Sequence, residues 1–204
     1  EPQSETNWRL ADNYKVPRIG FVNKMDRQGS NFQMVCKQVK EMLGSNAVQI
    51  VLPIGEEADF KGIVDLIKNR AIIWHEESMG STFDIVDIPE NLKEEAKKYR
   101  GLLIEEVASY DDNLLEKYME DEESITEEEI HSALRAAVMD MAIIPMICGD
   151  RHDGIQGFDL RPDHLGGVDG LGTRLGEHDG VRLTDIADTV GGQPGPGHTL
   201  VEHR

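Results

Sequence analysis

Four consecutive residues, Asn23-Lys24-Met25-Asp26, combine side chains that suit recognition of a flat, polar ring. A carboxylate such as that of Asp26 accepts two parallel hydrogen bonds, from a ring N–H and a neighbouring exocyclic amine. The stem of Lys24 can lie over the ring face, the Asn23 amide can fasten the loop to its neighbour, and Met25 is spacing with its side chain turned inward. Guanine presents that donor pair and adenine does not, so the pattern predicts guanine recognition, with discrimination of about 10⁴-fold.

The residues around this loop predict elements of an α/β sheet. The apolar run Pro17 to Val22 predicts a buried parallel strand before the loop. Apolar residues at three- and four-residue spacing predict a helix from Asn31 to Leu43, with Met42 on its apolar face and Gly44 as its stop. Ligands bind at the carboxyl ends of strands in such sheets, which favours a binding loop over the alternative of a solvated turn.

The remaining pattern up to residue 150 alternates helices and apolar strands, which is typical of the α/β class. Further strands are predicted at Val48 to Ile54, Arg70 to Trp74, Thr82 to Ile88 and Ile143 to Cys148. Further helices are predicted at Gln3 to Asn13, Glu90 to Ser109, Asn113 to Met119 and Thr126 to Met141. The strands between residues 48 and 88 have no long helices between them, which indicates an insertion that carries its own sheet.

Charge and cysteine usage exclude several classes of protein. The formal net charge of -18 argues against a surface that grips phosphates non-specifically. Cys36 and Cys148 are far apart and have no metal-ligand spacing, so we predict two core thiols in a reducing compartment. No run approaches about 18 uninterrupted apolar residues, so no membrane-spanning helix is predicted.

The composition changes after residue 150. Residues 151–204 contain no lysine, but they hold 12 of the 20 glycines and 5 of the 7 histidines. Their apolar residues do not repeat at a helical or strand period. Such a segment cannot bury enough apolar surface to offset the entropy of ordering it, so we predict a disordered, low-complexity tail, genuine or artefactual.

The loop belongs to a longer stretch with a specific resemblance. The run Pro17 to Arg27 and the opening residues Glu1 to Thr6 resemble segments of the elongation factor G family of translational GTPases. Leu52 to Leu66 resembles the start of the insertion found in that family, and Tyr118 to Arg135 resembles the helices that end it. Ile147-Cys148-Gly149 resembles the approach to the last guanine-contacting loop, so the resemblance covers about residues 1–149.

The resemblance implies part of a P-loop-type GTPase domain, with a mostly parallel sheet and an α/β insertion. The later part of the GTP-binding domain is then expected at 1–44, the insertion subdomain at 45–141, the returning strand at 142–150 and the tail at 151–204. It also implies that Asn23, Lys24, Met25 and Asp26 bind GTP or GDP, with magnesium in the parent protein.

By the same resemblance, the parent protein is a cytoplasmic GTPase that drives ribosomal translocation in protein biosynthesis by GTP hydrolysis. Its implied partners are guanine nucleotide and the ribosome, including the stalk protein, which meets the insertion; no membrane is implied. Two alternatives stay open. One is a related ribosome-associated GTPase, such as release factor three or a ribosomal protection protein, and the other is a nonenzymatic acidic docking module.

Two departures from the family pattern bear on this chain by itself. The family has a serine and an alanine after the glycine that corresponds to Gly149, and their loop contacts guanine O6, whereas this chain has Asp150-Arg151. The sequence also contains no GxxxxGK[ST] phosphate loop, and phosphoryl transfer depends on a phosphate cradle and a metal ion. We therefore expect a piece of a longer protein that alone neither hydrolyses GTP nor binds it tightly, with no catalytic residue of its own.

Other polar clusters have simpler interpretations. The acidic run Glu116 to Glu129 is expected to be a solvated face rather than a metal site, and Trp74 with His75 a core tryptophan beside a surface histidine. The tail histidines have spacings that fit no structured metal site. They are His152, His164, His178, His198 and His203.

Overall fold

A computed structural model describes residues 2–75 and 82–149. Its helices are α1 Pro2–Asn13, α2 Phe32–Leu43, α3 Lys93–Ala108, α4 Asp112–Glu120 and α5 Glu127–Met139. Its strands are β1 Gly20–Val22, β2 Ala47–Gln49, β3 Val51–Ile54, β4 Gly62–Asp65, β5 Arg70–Trp74, β6 Phe83–Val86 and β7 Ile144–Cys148. The tail predicted at 151–204, with its histidines, lies outside the described residues, as does Asp150.

Three strands form a parallel sheet in the order β1-β7-β2. The register pairs Val22 with Cys148 at one end and Ala47 with Ile144 at the other. All five residues of the central strand β7 are buried, as expected for a parallel strand covered on both faces. The predicted α/β class with a parallel sheet is confirmed.

The other four strands form an antiparallel sheet in the order β3-β4-β5-β6, which we call the second sheet. The chain passes from one sheet to the other at Ile50, whose N–H donates to Met146 and whose carbonyl accepts from Leu66. The single strand predicted at Val48 to Ile54 is therefore wrong. A continuous apolar run does not reveal that its two halves pair in different sheets.

The crossing at Ile50 lies close to the boundary predicted for the insertion subdomain. The insertion boundary predicted at residue 45 falls before β2, which pairs with β7 in the parallel sheet. The second sheet begins only at Val51. Strand β4 (Gly62–Asp65) was not predicted as a strand, although it pairs with both β3 and β5.

The helices lie close to their predicted positions, and their ends follow capping chemistry. Asn31 caps α2 because its side chain accepts a hydrogen bond from Met34 N–H, and Gly44 ends the helix at φ 62°. Met42 does not belong to the buried face as predicted, since its side chain is 76% exposed. The helix predicted from Glu90 begins with the 3-10 turn Glu90–Leu92 before α3.

One hydrophobic core joins the two sheets and the helices against them. Cys36 and Cys148 are both buried and free, which confirms the predicted core thiols. Trp74 is buried while His75 is exposed, also as predicted. None of the helices in the described part of the chain is long and apolar enough to cross a membrane.

Candidate functional site

The residues Asn23–Asp26, which we call the NKMD loop, follow β1 at the carboxyl end of the parallel sheet. The central strand β7 ends beside it, because Val22 is the register partner of Cys148. The loop after β7 therefore begins next to the NKMD loop. Ligand sites of α/β proteins lie at this edge of the sheet.

Backbone hydrogen bonds join the two strand ends. Met25 N–H donates to the Gly149 carbonyl at 3.2 Å, and Gly149 N–H donates to the Val22 carbonyl at 3.0 Å. The sheet ladder thus continues one step past the strands and fixes the start of the loop. The link between the loops that was expected of the Asn23 side chain is made here by the backbone.

Asn23 and Lys24 shape the first half of the NKMD loop. The Asn23 side-chain oxygen accepts a hydrogen bond from Lys24 N–H at 2.8 Å. Lys24 has φ 62°, a left-handed conformation that is uncommon for a residue other than glycine. Outlying backbone of this kind is enriched at binding sites, where the surrounding contacts hold it in place.

Met25 and Asp26 point in opposite directions. The Met25 side chain is only 2% exposed and belongs to the hydrophobic core, in agreement with its predicted spacing role. Asp26 is exposed, so its carboxylate is available to a ligand arriving at the sheet edge. Met25 thus anchors the loop in the core, and Asp26 is exposed at the surface.

The segment after the NKMD loop folds back and braces it. Arg27 N–H donates to the Lys24 carbonyl at 3.2 Å, and Ser30 N–H donates to the Arg27 carbonyl at 3.1 Å. The Ser30 hydroxyl donates to the Met25 carbonyl at 2.7 Å, across the base of the turn. Ser30 did not stand out in the sequence, where a lone serine before a helix has no distinctive pattern.

The core contains two thiols, Cys36 on α2 and Cys148 at the end of β7. Burial raises the pKa of Cys36 to about 12, against smaller opposing effects that include a hydrogen bond with the Gln49 side chain. Burial also raises the pKa of Cys148 well above its ordinary value. Both cysteines are therefore buried core residues whose thiol form is favoured by burial.

The family described as the elongation factor Tu GTP binding domain matches residues 1–183. Because this match covers most of the chain, the chain belongs to that family. The match extends past residue 149 into the stretch predicted as a tail.

Curated relatives narrow the similarity to elongation factor G. The chain is 60% identical over 158 residues to the elongation factor G of Cytophaga hutchinsonii, covering 76% of this chain and 22% of that protein. It is 54% identical to that of Amoebophilus asiaticus (76% and 22% covered) and 48% identical to that of Karelsulcia muelleri (76% and 23%). The chain thus spans about a fifth of the length of these relatives.

A solved protein from Thermus thermophilus has a similar fold. The TM-score is 0.61 at 25% sequence identity, and the match covers 72% of this chain and 21% of that one. The resemblance to elongation factor G seen in the sequence is confirmed by the curated relatives, and the solved structure agrees with the fold.

Proposed function

We propose that the NKMD loop is the guanine-recognition element of a translational GTPase of the elongation factor G type. The observation that carries this proposal is the exposed Asp26 carboxylate beside a buried Met25, on a loop tied to Gly149 at the carboxyl edge of the parallel sheet. The carboxylate accepts hydrogen bonds from N1–H and the exocyclic amine of guanine. The Lys24 stem covers a face of the purine, and Asn23 holds the Lys24 backbone.

Selectivity for guanine follows from the hydrogen bonds. Adenine has an acceptor at N1 and no amine beside it, so it leaves the carboxylate of Asp26 without donors. An unpaired polar group in a binding site lowers affinity far more than a missing apolar contact does. We therefore assign GTP and GDP, rather than adenine nucleotides, as the ligands.

Hydrolysis is assigned to the longer protein. We propose that a longer protein containing this chain acts as a cytoplasmic GTPase whose turnover drives ribosomal translocation, as the similarity to elongation factor G supports. The 204-residue chain contains no GxxxxGK[ST] segment, so we expect no measurable GTP turnover from it alone. Phosphate release above the buffer rate by the purified chain would contradict this assignment.

We propose magnesium as a ligand of the longer protein, as the similarity to translational GTPases supports. Within residues 2–75 and 82–149, no three histidine, cysteine or acidic side chains lie close enough together to hold an ion. No step of the proposed recognition depends on a metal. The NKMD loop acts on the base, which carries no formal charge.

The ribosome is the proposed macromolecular partner, with the stalk protein on the insertion. The acidic helix α4 supports this proposal because it exposes Leu115 and Met119 together with Glu116 and Glu120. Apolar side chains ringed by charge are typical of weak, specific docking surfaces. In a calorimetric titration with the stalk protein, Met119→Ala is expected to weaken binding, and an unchanged affinity would place the contact elsewhere.

Nucleotide binding is tested in a chimeric protein. It is the Cytophaga hutchinsonii elongation factor G with residues 2–149 of this chain in place of its matching segment, and we call it the chimera. Asp26→Ala in the chimera is expected to weaken GDP binding about a hundredfold, because two charge-assisted hydrogen bonds are lost. Asp112→Ala, a matched removal of an exposed carboxylate on α4, is the control. Equal GDP affinities of the Asp26 and Asp112 variants would reject the proposal.

A further inference from the structure

A hydrogen bond joins the turn after β3 of the second sheet to the segment after the NKMD loop. The Glu57 carboxylate accepts a hydrogen bond from Gly29 N–H, with Oε1 2.8 Å from the nitrogen. The two residues are 28 positions apart in the chain. Glu57 begins the 3-10 turn Glu57–Asp59 after β3, and Gly29 follows Asp26 by three residues. This bond therefore joins the second sheet to the segment that braces the NKMD loop.

Unusual backbone holds Glu57 in place. Its φ is 50°, a left-handed conformation that an unbranched, non-glycine side chain adopts only at a cost. The turn before it is tight, since a Cβ added at Gly55 would lie 1.9 Å from the Asp59 carbonyl oxygen. Phe60 N–H donates to the Glu57 carbonyl at 3.0 Å, which closes the turn.

The turn is anchored in the core of the second sheet. Phe60 is buried, and its ring lies 6.0 Å from the ring of Trp74 on β5. Lys61 N–H donates to the Ile54 carbonyl and Trp74 N–H donates to the Lys61 carbonyl, both at 3.0 Å. The Glu57 carboxylate is thus presented by a turn fixed on both sides, which lowers the entropy lost when it binds Gly29.

The other end of the bond leads directly to the NKMD loop. Gly29 has φ 82°, so its N–H orientation depends on a turn that glycine readily forms. Arg27 and Ser30, which flank it, bond to the carbonyls of Lys24, Arg27 and Met25. A displacement of Gly29 is therefore transmitted to both sides of Asp26.

We propose that Glu57 is a positioning residue for guanine recognition, which links the second sheet to the NKMD loop. By holding Gly29, its carboxylate keeps the Asp26 carboxylate in the orientation that pairs with guanine. This role rests on the proposed function of Asp26. It also makes the second sheet a place from which nucleotide affinity can be changed. Any ligand that shifts the turn alters the affinity for GDP, and GDP alters the affinity for that ligand by the same factor.

Three variants distinguish a positioning role of the Glu57 carboxylate from the loss of side-chain volume or of a negative charge. Glu57→Ala removes the acceptor, Glu57→Gln keeps an acceptor oxygen, and Glu56→Ala removes the neighbouring exposed carboxylate as a control. We expect fluorescent GDP to leave the Glu57→Ala chimera about three- to tenfold faster, which corresponds to one hydrogen bond to a charged group that is partly solvated. Glu57→Gln is expected to restore most of the difference, and Glu56→Ala to match the unmodified chimera.

The hydrogen bond between Gly29 and Glu57 can be observed by NMR in the 204-residue chain. The amide proton shift of Gly29 is expected to change in Glu57→Ala, which removes the acceptor, and to return most of the way to its original value in Glu57→Gln, which keeps an acceptor oxygen. This readout does not depend on nucleotide binding. A Gly29 amide proton shift that is the same in the unmodified chain and in Glu57→Ala would overturn the inference.

The remaining outcomes distinguish this inference from the proposed function. If Asp26→Ala abolishes GDP binding while Glu57→Ala releases GDP at the unmodified rate, the positioning role is wrong and guanine recognition stands. If Glu57→Gln fails as badly as Glu57→Ala and both lower the melting temperature in parallel, the bond serves folding only. If neither Asp26→Ala nor Glu57→Ala affects GDP, the proposed function itself fails.

Discussion

The NKMD loop and the Glu57 turn each present a carboxylate at the end of a buried strand, yet they are built in different ways. Asp26 follows a parallel strand in a four-residue pattern whose types match a ligand. Glu57 follows β3 in a turn held by left-handed backbone at Gly55 and at Glu57 itself. A side chain that binds a ligand belongs to a sequence pattern of residue types and spacing. A side chain that bonds to the backbone of another segment has almost no such pattern in the sequence.

The largest effect is expected in the core under the NKMD loop. Phe32 is fully buried at the start of α2, so Phe32→Ala is expected to lower the free energy of unfolding by about 3–5 kcal/mol. Met42→Ala, on the exposed face of the same helix, is expected to change it by less than about 0.5 kcal/mol. Urea unfolding of the 204-residue chain measures both, and equal costs would show that the core does not extend under the loop.

Two glycines test the difference in backbone between the regions. Gly29 and Gly55 have φ 82° and 85°, but a Cβ meets nothing within 4 Å at Gly29 and would clash with the Asp59 carbonyl at Gly55. Gly29→Ala is expected to cost about 1 kcal/mol from the backbone conformation alone. Gly55→Ala is expected to cost about 3 kcal/mol, because the turn must also open. Equal melting temperatures would mean that the Gly55 turn is not tight.

A buried carboxylate gives the second sheet a pH dependence. Asp65 lies on β4 and accepts hydrogen bonds from Ile67 and Lys68 N–H at 3.0 Å. Burial raises the pKa of Asp65, against the opposing effects of those bonds and of Arg70. Because the folded-state pKa is raised, the stability linked to its protonation is present below the unfolded-state value and is lost as pH rises through the folded-state value.

Asp65→Asn removes this titration and keeps an acceptor oxygen for both N–H groups. The variant is therefore expected to gain stability relative to the unmodified chain as pH rises from the acid range to neutrality. Asp65→Ala also removes the titration, and it is expected to be about 1–3 kcal/mol less stable than Asp65→Asn at any pH, because the Ile67 and Lys68 N–H groups lose this acceptor. Thermal unfolding of the three proteins across pH checks both statements, and a pH-independent difference between the Asn variant and the unmodified chain would refute the first.

Local chemistry and long-range pairing differed in how far the sequence predicted them. The stop at Gly44 and the inward Met25 depend on neighbours within a few residues, and both were predicted. The crossing at Ile50 depends on Met146 and Leu66, which no local pattern records. Met42 was assigned to the buried face because its spacing fits, although it lies where the neighbouring elements leave the helix uncovered.

The same distinction applies to the site. Asn23, Lys24, Met25 and Asp26 stood out in the sequence because their types and spacing suit the guanine recognition that we propose for them. Glu57 did not, since a hydrogen bond to a backbone N–H accepts many side chains and its partner Gly29 is 28 residues away. Contacts between residues so far apart in the chain are seen only in the three-dimensional structure.

The guanine specificity that we propose for Asp26 is tested most directly by changing which base it can pair with. In Asp26→Asn the amide oxygen still accepts from N1–H, but the amide N–H₂ now donates and suits the C2 carbonyl of xanthine. The chimera carrying Asp26→Asn is expected to lose GDP affinity about a hundredfold and to bind xanthosine diphosphate more tightly than GDP. A variant that keeps its preference for GDP over xanthosine diphosphate would show that Asp26 does not read the base.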